Sequence, residues 1–160
     1  MEYDLSSLSA KLVSALSAKG LTCATAESCT GGGVGSAITS VAGSSKVFLG
    51  GVISYSNEVK ADVLGVSRDT LASVGAVSSE VASQMASGAR RVMGSDLAVS
   101  LTGIAGPGGG SAEKPVGLVW FGLATSKGVT TQSRIFPGDR AAVRSAAIAH
   151  ALGLLLSAVE

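Results

Sequence analysis

Leu5, Leu8, Leu12, Val13 and Leu16 recur on one helical face and predict an amphipathic helix over residues 5–18. Gly20 follows it and suits a C-terminal cap. Residues 21–26 read as a buried strand. Residues 30–39 are small and apolar and predict a second helix whose first turn is Gly31-Gly32-Gly33. Residues 47–55 read as a second strand, and a short helix over 57–64 follows with Asn57 as its N-cap. Residues 67–73 add another short turn. Residues 79–93 form a longer helix, capped by Ser78 or Ser79, with Val81, Met85, Ala89 and Val92 on one face. A third strand covers 96–102, and the glycine-rich loop 103–110 follows it. Residues 116–124 make a fourth strand, Ser126-Lys127-Gly128 a tight turn, 129–136 a fifth strand, and 140–159 a long closing helix.

Strands joined through helices run parallel with right-handed crossovers. No helix separates the third strand from the fourth, so that pair is expected to run antiparallel, and the tight turn reverses the fifth again. The fold class is therefore α/β: a three-layer α/β/α arrangement with a mixed five-stranded sheet, its fourth strand antiparallel. Residues 1–160 are expected to form a single domain, since 160 residues with 46% hydrophobic content suit one core.

Charge narrows the partners. Twelve basic and 11 acidic residues leave a net charge of +1, whereas a general nucleic-acid binder carries a marked basic excess. No nucleic-acid partner is expected. Two cysteines and one histidine make neither a disulfide framework nor a zinc site, so no metal is expected either. The start of the chain carries Glu2 and Asp4 and does not resemble a signal peptide. No apolar run is expected to approach the roughly 20 residues of a membrane span. The reading is a soluble cytoplasmic protein without a membrane partner.

In such a sheet, ligands sit beyond the carboxyl ends of the parallel strands. Three loops arrive there: residues 27–33, 54–60 and 102–111. A helix beginning with glycines exposes free N–H groups and the positive end of its dipole. An anion or a developing oxyanion can approach the amides of Cys29, Thr30, Gly31 and Gly32 closely. The spacing fits neither Gly-x-Gly-x-x-Gly nor a Walker loop. Ser28 is then either a nucleophile or a plain helix cap, and Cys29 is a rival nucleophile or a small core residue.

A nucleophilic serine needs a base. The only histidine, His150, lies among alanines and leucines of the last helix and reads as structural. The remaining base is a lysine whose pKa burial lowers, and Lys60 is placed for it; its bland alternative is a solvated surface lysine. Tyr55 could orient that lysine or relay a proton, and Ser56 could face it across one helical turn. Gly103, Gly106 and Gly108 would let the third loop wrap an anion, with Thr102 adding a hydroxyl. Arg140 and Arg144, one turn apart, are either a phosphate clamp or surface charge.

Five blocks carry a specific resemblance: Ala26-Glu27-Ser28-Cys29-Thr30-Gly31-Gly32, Tyr55-Ser56-Asn57-Glu58-Val59-Lys60, Gly75-Ala76-Val77-Ser78, Gly103-Ile104-Ala105-Gly106-Pro107 and Lys114-Pro115-Val116-Gly117. They span nearly the whole chain in the order found in the CinA C-terminal-domain family. The chain resembles the stand-alone form, and at 160 residues it is expected to lack the N-terminal molybdopterin-binding-like domain of longer relatives. The resemblance implies hydrolysis of nicotinamide mononucleotide to nicotinic acid mononucleotide and ammonia, by a serine–lysine mechanism with no metal and no cofactor. It places the nucleophile on Ser28, and the family's tyrosine and lysine on Tyr55 and Lys60. Thr102 matches the hydroxyl residue before Gly-Ile-Ala-Gly-Pro. Arg140 is the first choice for the phosphate, Arg144 the next. Gly33 stands where relatives often carry a bulkier residue.

Rival readings are a nucleotide-binding module without turnover, linked to competence or DNA damage, a serine amidase for another small amide, and a structural subunit. A homodimer or higher homo-oligomer is expected, because Leu154, Leu155 and Leu156 on one helix cannot all face a single core.

Overall fold

The structure is a computed structural model and describes residues 2–160. Helix α1 (Leu5–Lys19) is capped by Asp4, whose carboxylate accepts from Ser7 N–H at 2.9 Å, and ends at Gly20 in the left-handed region. Strand β1 (Cys23–Glu27) is buried throughout. Helix α2 (Gly33–Thr39) follows, then β2 (Phe48–Ile53), α3 (Asn57–Leu64), α4 (Arg68–Val74) and α5 (Ser79–Met93). Strands β3 (Leu97–Gly103), β4 (Leu118–Thr125) and β5 (Gly128–Ile135) lead to α6 (Arg140–Val159).

The sheet order is β2-β1-β3-β4-β5. Strand β1 pairs parallel with β2 and β3, while β4 pairs antiparallel with β3 and β5 with β4. One face packs a core of Leu12, Leu16, Val34, Ile38, Phe121, Val143 and Leu152 beneath α1, α2 and α6. The other packs Ala24, Ala26, Leu64, Val81, Met85 and Ala89 beneath α3 and α5. This is the expected three-layer α/β/α sandwich with a mixed five-stranded sheet. Central β1, covered on both faces and paired on both edges, delivers Glu27 and Ser28 to the carboxyl end of the sheet.

Several local expectations are corrected. Helix α2 begins at Gly33, not residue 30, because Gly31 (φ +58°) and Gly32 (φ +99°) are left-handed and cannot continue a right-handed turn. The N-cap of α3 is Ser56, whose hydroxyl accepts from Val59 N–H at 3.2 Å; Asn57 is already helical. Ser78 rather than Ser79 caps α5. On that helix Val81, Met85 and Ala89 are buried, but Val92 is 48% exposed, one step off the buried face.

The last helix also departs from expectation. Helix α6 has 20 residues and a mean hydropathy of 1.6 over its most apolar stretch, so it does reach the length and apolarity of a span. Those apolar residues are packed into the core, Val143, Ala147, Ala151, Leu152, Leu155 and Val159 among them. Leu155 is fully buried, and Leu154 and Leu156 pack against the same cluster. The leucine argument for self-association therefore falls away, because α6 lies in a cleft between α1 and the sheet and can bury a wide arc.

Candidate active site

Ser28 is the first residue after β1, and its N–H donates to Leu101 O at 3.0 Å, tying it to the end of β3. Only 9% of the residue is exposed. Lys60, on the first turn of α3, is 1% exposed, so its amine is a buried group and not a solvated one. The Nζ lies 3.1 Å from Ser28 Oγ, 2.7 Å from Ser54 O and 3.1 Å from Tyr55 O. Burial pushes the lysine pKa below its ordinary value, with the Cys29 thiol opposing that shift. A neutral amine has two N–H donors and one lone pair. With both donors given to the Ser54 and Tyr55 carbonyls, the lone pair is left for the Ser28 hydroxyl.

The chain turns sharply after Ser28. Gly31 N–H donates to Ser28 O and Gly33 N–H to Thr30 O, each at 3.0 Å. Gly31 is therefore spent within the turn, while among the described residues the N–H groups of Cys29, Thr30 and Gly32 donate to no other residue. These three remain of the four amides predicted to meet an anion. Gly33 leaves no room for a larger side chain unless Ile148 moves, since a Cβ there would lie 2.5 Å from its Cδ1.

Cys29 is buried and its thiol is pushed up to about 11, chiefly by loss of hydration. It is a small core residue with negligible thiolate at neutral pH. His150 Nε2 donates to Gln132 Oε1 (2.9 Å), the ring packs on Phe121 with ring centroids 4.5 Å apart, and its pKa is lowered first by burial and then by Arg134. It shares no hydrogen bond with Ser28 or Lys60 and is structural, as predicted.

Other predicted residues are placed differently from expectation. Tyr55 touches Lys60 through its carbonyl, not its phenol; the phenol is exposed and 3.5 Å from Arg140 Nη2. Ser56 is occupied as a cap and does not face the lysine. The Thr102 hydroxyl donates to Ala76 O at 2.9 Å, joining the glycine-rich loop to the Gly75–Ser78 segment rather than pointing a free donor at a ligand. Arg144 spends Nε on Cys29 O and Nη2 on Thr30 O, both at 3.1 Å. It is a brace for the turn and not a free phosphate clamp. Arg140 is exposed and gives Nη1 to Gly106 O at 2.9 Å and Nη2 to Tyr55 Oη at 3.5 Å. Gly103 continues β3, Gly106 (φ +84°) is buried under Val116, and Gly108 is exposed on the loop.

Glu27 is the residue that sequence reasoning missed. Its carboxylate is 2% exposed and accepts from Thr30 Oγ1 (2.6 Å), Val34 N–H (2.9 Å) and Gly35 N–H (3.0 Å). A carboxylate immediately before a candidate nucleophile, closing a run of small buried residues, was the available signal. Among the described residues, no cluster of three His, Cys, Asp or Glu side chains is placed to hold a metal. A groove of about 530 Å³ lined by Tyr3, Gln132, Arg134 and His150 lies elsewhere, so hydrogen-bonding chemistry rather than cavity size marks the site.

The model of the CinA C-terminal domain matches residues 5–159. The chain is 53% identical over 155 residues to nicotinamide-nucleotide amidohydrolase PncC of Escherichia coli K12, covering 96% of this chain and 94% of that one. It is 51% identical to a CinA-like protein of Synechococcus, covering 95% of this chain but 37% of that longer protein. The crystal structure of competence/damage inducible protein CihA from Agrobacterium tumefaciens superposes with a TM-score of 0.94 at 43% identity, covering 98% of this chain and 96% of that one. This chain belongs to the CinA C-terminal-domain family.

Proposed function

We propose that the chain is an amidohydrolase that converts nicotinamide mononucleotide to nicotinic acid mononucleotide and ammonia through an acyl-enzyme on Ser28. The observation that carries the reading is the buried Lys60 amine within 3.1 Å of the Ser28 hydroxyl. The PncC relative supplies the substrate class.

Ser28 Oγ attacks the carboxamide carbon while its proton passes to Lys60 Nζ. The carbonyl oxygen gains negative charge and meets the free Cys29, Thr30 and Gly32 amides. The C–N bond breaks as the Lys60 ammonium protonates the leaving nitrogen, which departs as ammonia. Water then attacks the ester, Lys60 takes the water's proton, and that proton returns to Ser28 Oγ as the acid leaves. Tyr55 contributes its carbonyl as one of the two acceptors that orient the amine, and its phenol stands with Arg140 at the rim. Arg140 holds the phosphate. Metal and cofactor have no assigned part in this scheme.

Ammonia release from nicotinamide mononucleotide, with nicotinamide and its riboside as comparisons, tests the reading. Ser28→Ala is expected to lose at least about 10³-fold in kcat while keeping its thermal midpoint. Wild-type activity in that variant, or no release by the parent protein, overturns the proposal. Equal rates on riboside and mononucleotide would favour an amidase for another small amide.

A further inference from the structure

Glu27 is the only buried carboxylate among the described residues, and no cation pairs with it. Burying an ionised carboxylate costs several kcal/mol unless its lone pairs are satisfied. Three donors satisfy this one, and all come from the segment just beyond Ser28: the Thr30 hydroxyl and the Val34 and Gly35 amides. The usual capping position of α2 is Gly32, which offers no side chain. The cap is supplied instead from β1, so the strand end and the helix start are locked to each other through one side chain.

The lock has two consequences for the turn. First, the Val34 and Gly35 amides are consumed by the Glu27 side chain, leaving incoming negative charge to the Cys29, Thr30 and Gly32 amides. Second, Thr30 is held from one side by Glu27 and from the other by Arg144, which binds the Cys29 and Thr30 carbonyls. A peptide unit is planar, and its C=O and N–H point in opposite directions. Anchoring Cys29 O on Arg144 therefore aims Thr30 N–H away from α6. Anchoring Ser28 O on Gly31 N–H likewise fixes the plane that carries Cys29 N–H.

We propose that Glu27 is a positioning residue for acyl transfer: through the Thr30 hydroxyl and the first amides of α2, it holds the Cys29 and Thr30 N–H groups at the developing oxyanion. The inference rests on the amide-hydrolysis reading above. It does not place Glu27 in contact with substrate.

Three variants test it. Glu27→Gln keeps volume and one acceptor oxygen, but sets an NH2 group against a donor. Thr30→Val removes the hydroxyl at constant shape, and Thr30→Ser restores it. Glu27→Gln and Thr30→Val should each lower kcat about 10- to 100-fold with KM within about threefold, since small misplacements at the reacting centre cost this much. Thr30→Ser should recover most of the loss, and the Glu27→Gln/Thr30→Val double variant should lose less than the product of the singles. A second readout needs no nucleotide: the rate at which phenylmethanesulfonyl fluoride sulfonylates Ser28 should fall in the same order. Loss of thermal stability with kcat unchanged reduces Glu27 to a structural cap and overturns the proposal, as does Thr30→Ser behaving like Thr30→Val. If Glu27→Gln does not fold, the two Thr30 variants decide. If the parent protein releases no ammonia but Ser28 is sulfonylated, and more slowly in the variants, the substrate reading fails and the positioning role stands. If the parent shows neither reaction, both fail.

Discussion

Lys60 Nζ lies 3.1 Å from Ser28 Oγ, and the carbonyls of Ser54 and Tyr55 hold the amine from behind. Those carbonyls come from the segment between β2 and α3, while the serine comes from the end of β1. Parallel pairing of β1 with β2, which sets Glu27 opposite Ile53, brings the two segments together. The contact is thus a product of the sheet register as much as of the two side chains.

Its first consequence is a pH profile. Burial lowers the Lys60 pKa, so the neutral amine becomes available below the ordinary lysine value of 10.5. Ammonia release should rise with pH through that lowered pKa and fall below it. Lys60→Met should lose at least about 10³-fold in kcat and any residual rate should lack this limb. Stability has the same sign. Between the lowered folded pKa and the unfolded value, the unfolded chain binds more protons, so unfolding free energy increases with pH. Lys60→Met should flatten that slope, measured as chemical denaturation midpoints across the window. A parent enzyme with flat activity throughout it would remove Lys60 as the base.

The thiol beside the serine should be silent. Cys29 is raised to about 11 and packs in the core, so almost none is thiolate at pH 7. Cys29→Ala is expected to keep kcat within about threefold and to lose about 1–2 kcal/mol of stability from the small cavity. Iodoacetamide should leave the native enzyme active at neutral pH. Inactivation that tracks modification of Cys29, together with an inactive Cys29→Ala, would transfer the nucleophile to sulfur.

Much of the fold was legible because the chemistry was local. Leu5, Leu8, Leu12 and Leu16 marked α1, Gly20 its end, and the loop after β3 lacked any helical pattern that could carry a parallel crossover. Ser28 and Lys60 lie 32 residues apart and no periodicity links them; their pairing was legible from the two loops that meet at the carboxyl end of the sheet, and the matched blocks added to it. What escaped was the side-chain partner of each polar group. Arg144 and Arg140 look alike one turn apart, yet one spans the Cys29 and Thr30 carbonyls while the other, exposed, reaches Gly106 O and the Tyr55 phenol. Thr102 and Ser56 looked like site hydroxyls, but a nearby carbonyl and a helix start claimed them first. Glu27 reads as an ordinary acidic residue until its three donors are seen.

The two arginines should separate kinetically, and this is the sharpest use of their geometry. Arg140 is exposed, giving one nitrogen to Gly106 O and another to the Tyr55 phenol. Its proposed contact is the phosphate, which lies far from the reacting carbonyl and is held equally in ground and transition states. Losing a charge-assisted hydrogen bond of about 1.5–3 kcal/mol should then appear in KM. Arg140→Met is expected to raise KM for the mononucleotide about 10- to 100-fold, leave kcat within about threefold, and leave the riboside unaffected. Arg144 instead braces the Cys29 and Thr30 carbonyls, which set the direction of the turn's N–H groups. Arg144→Met should lower kcat about 10- to 100-fold on mononucleotide and riboside alike, with little change in KM, because only the transition state presents the oxyanion those amides meet. Arg144→Lys should recover little, since one ammonium cannot reproduce a guanidinium fork spanning two carbonyls. Steady-state kinetics on both substrates decides the assignment. A mononucleotide-specific KM effect at Arg144, with none at Arg140, would exchange the two roles.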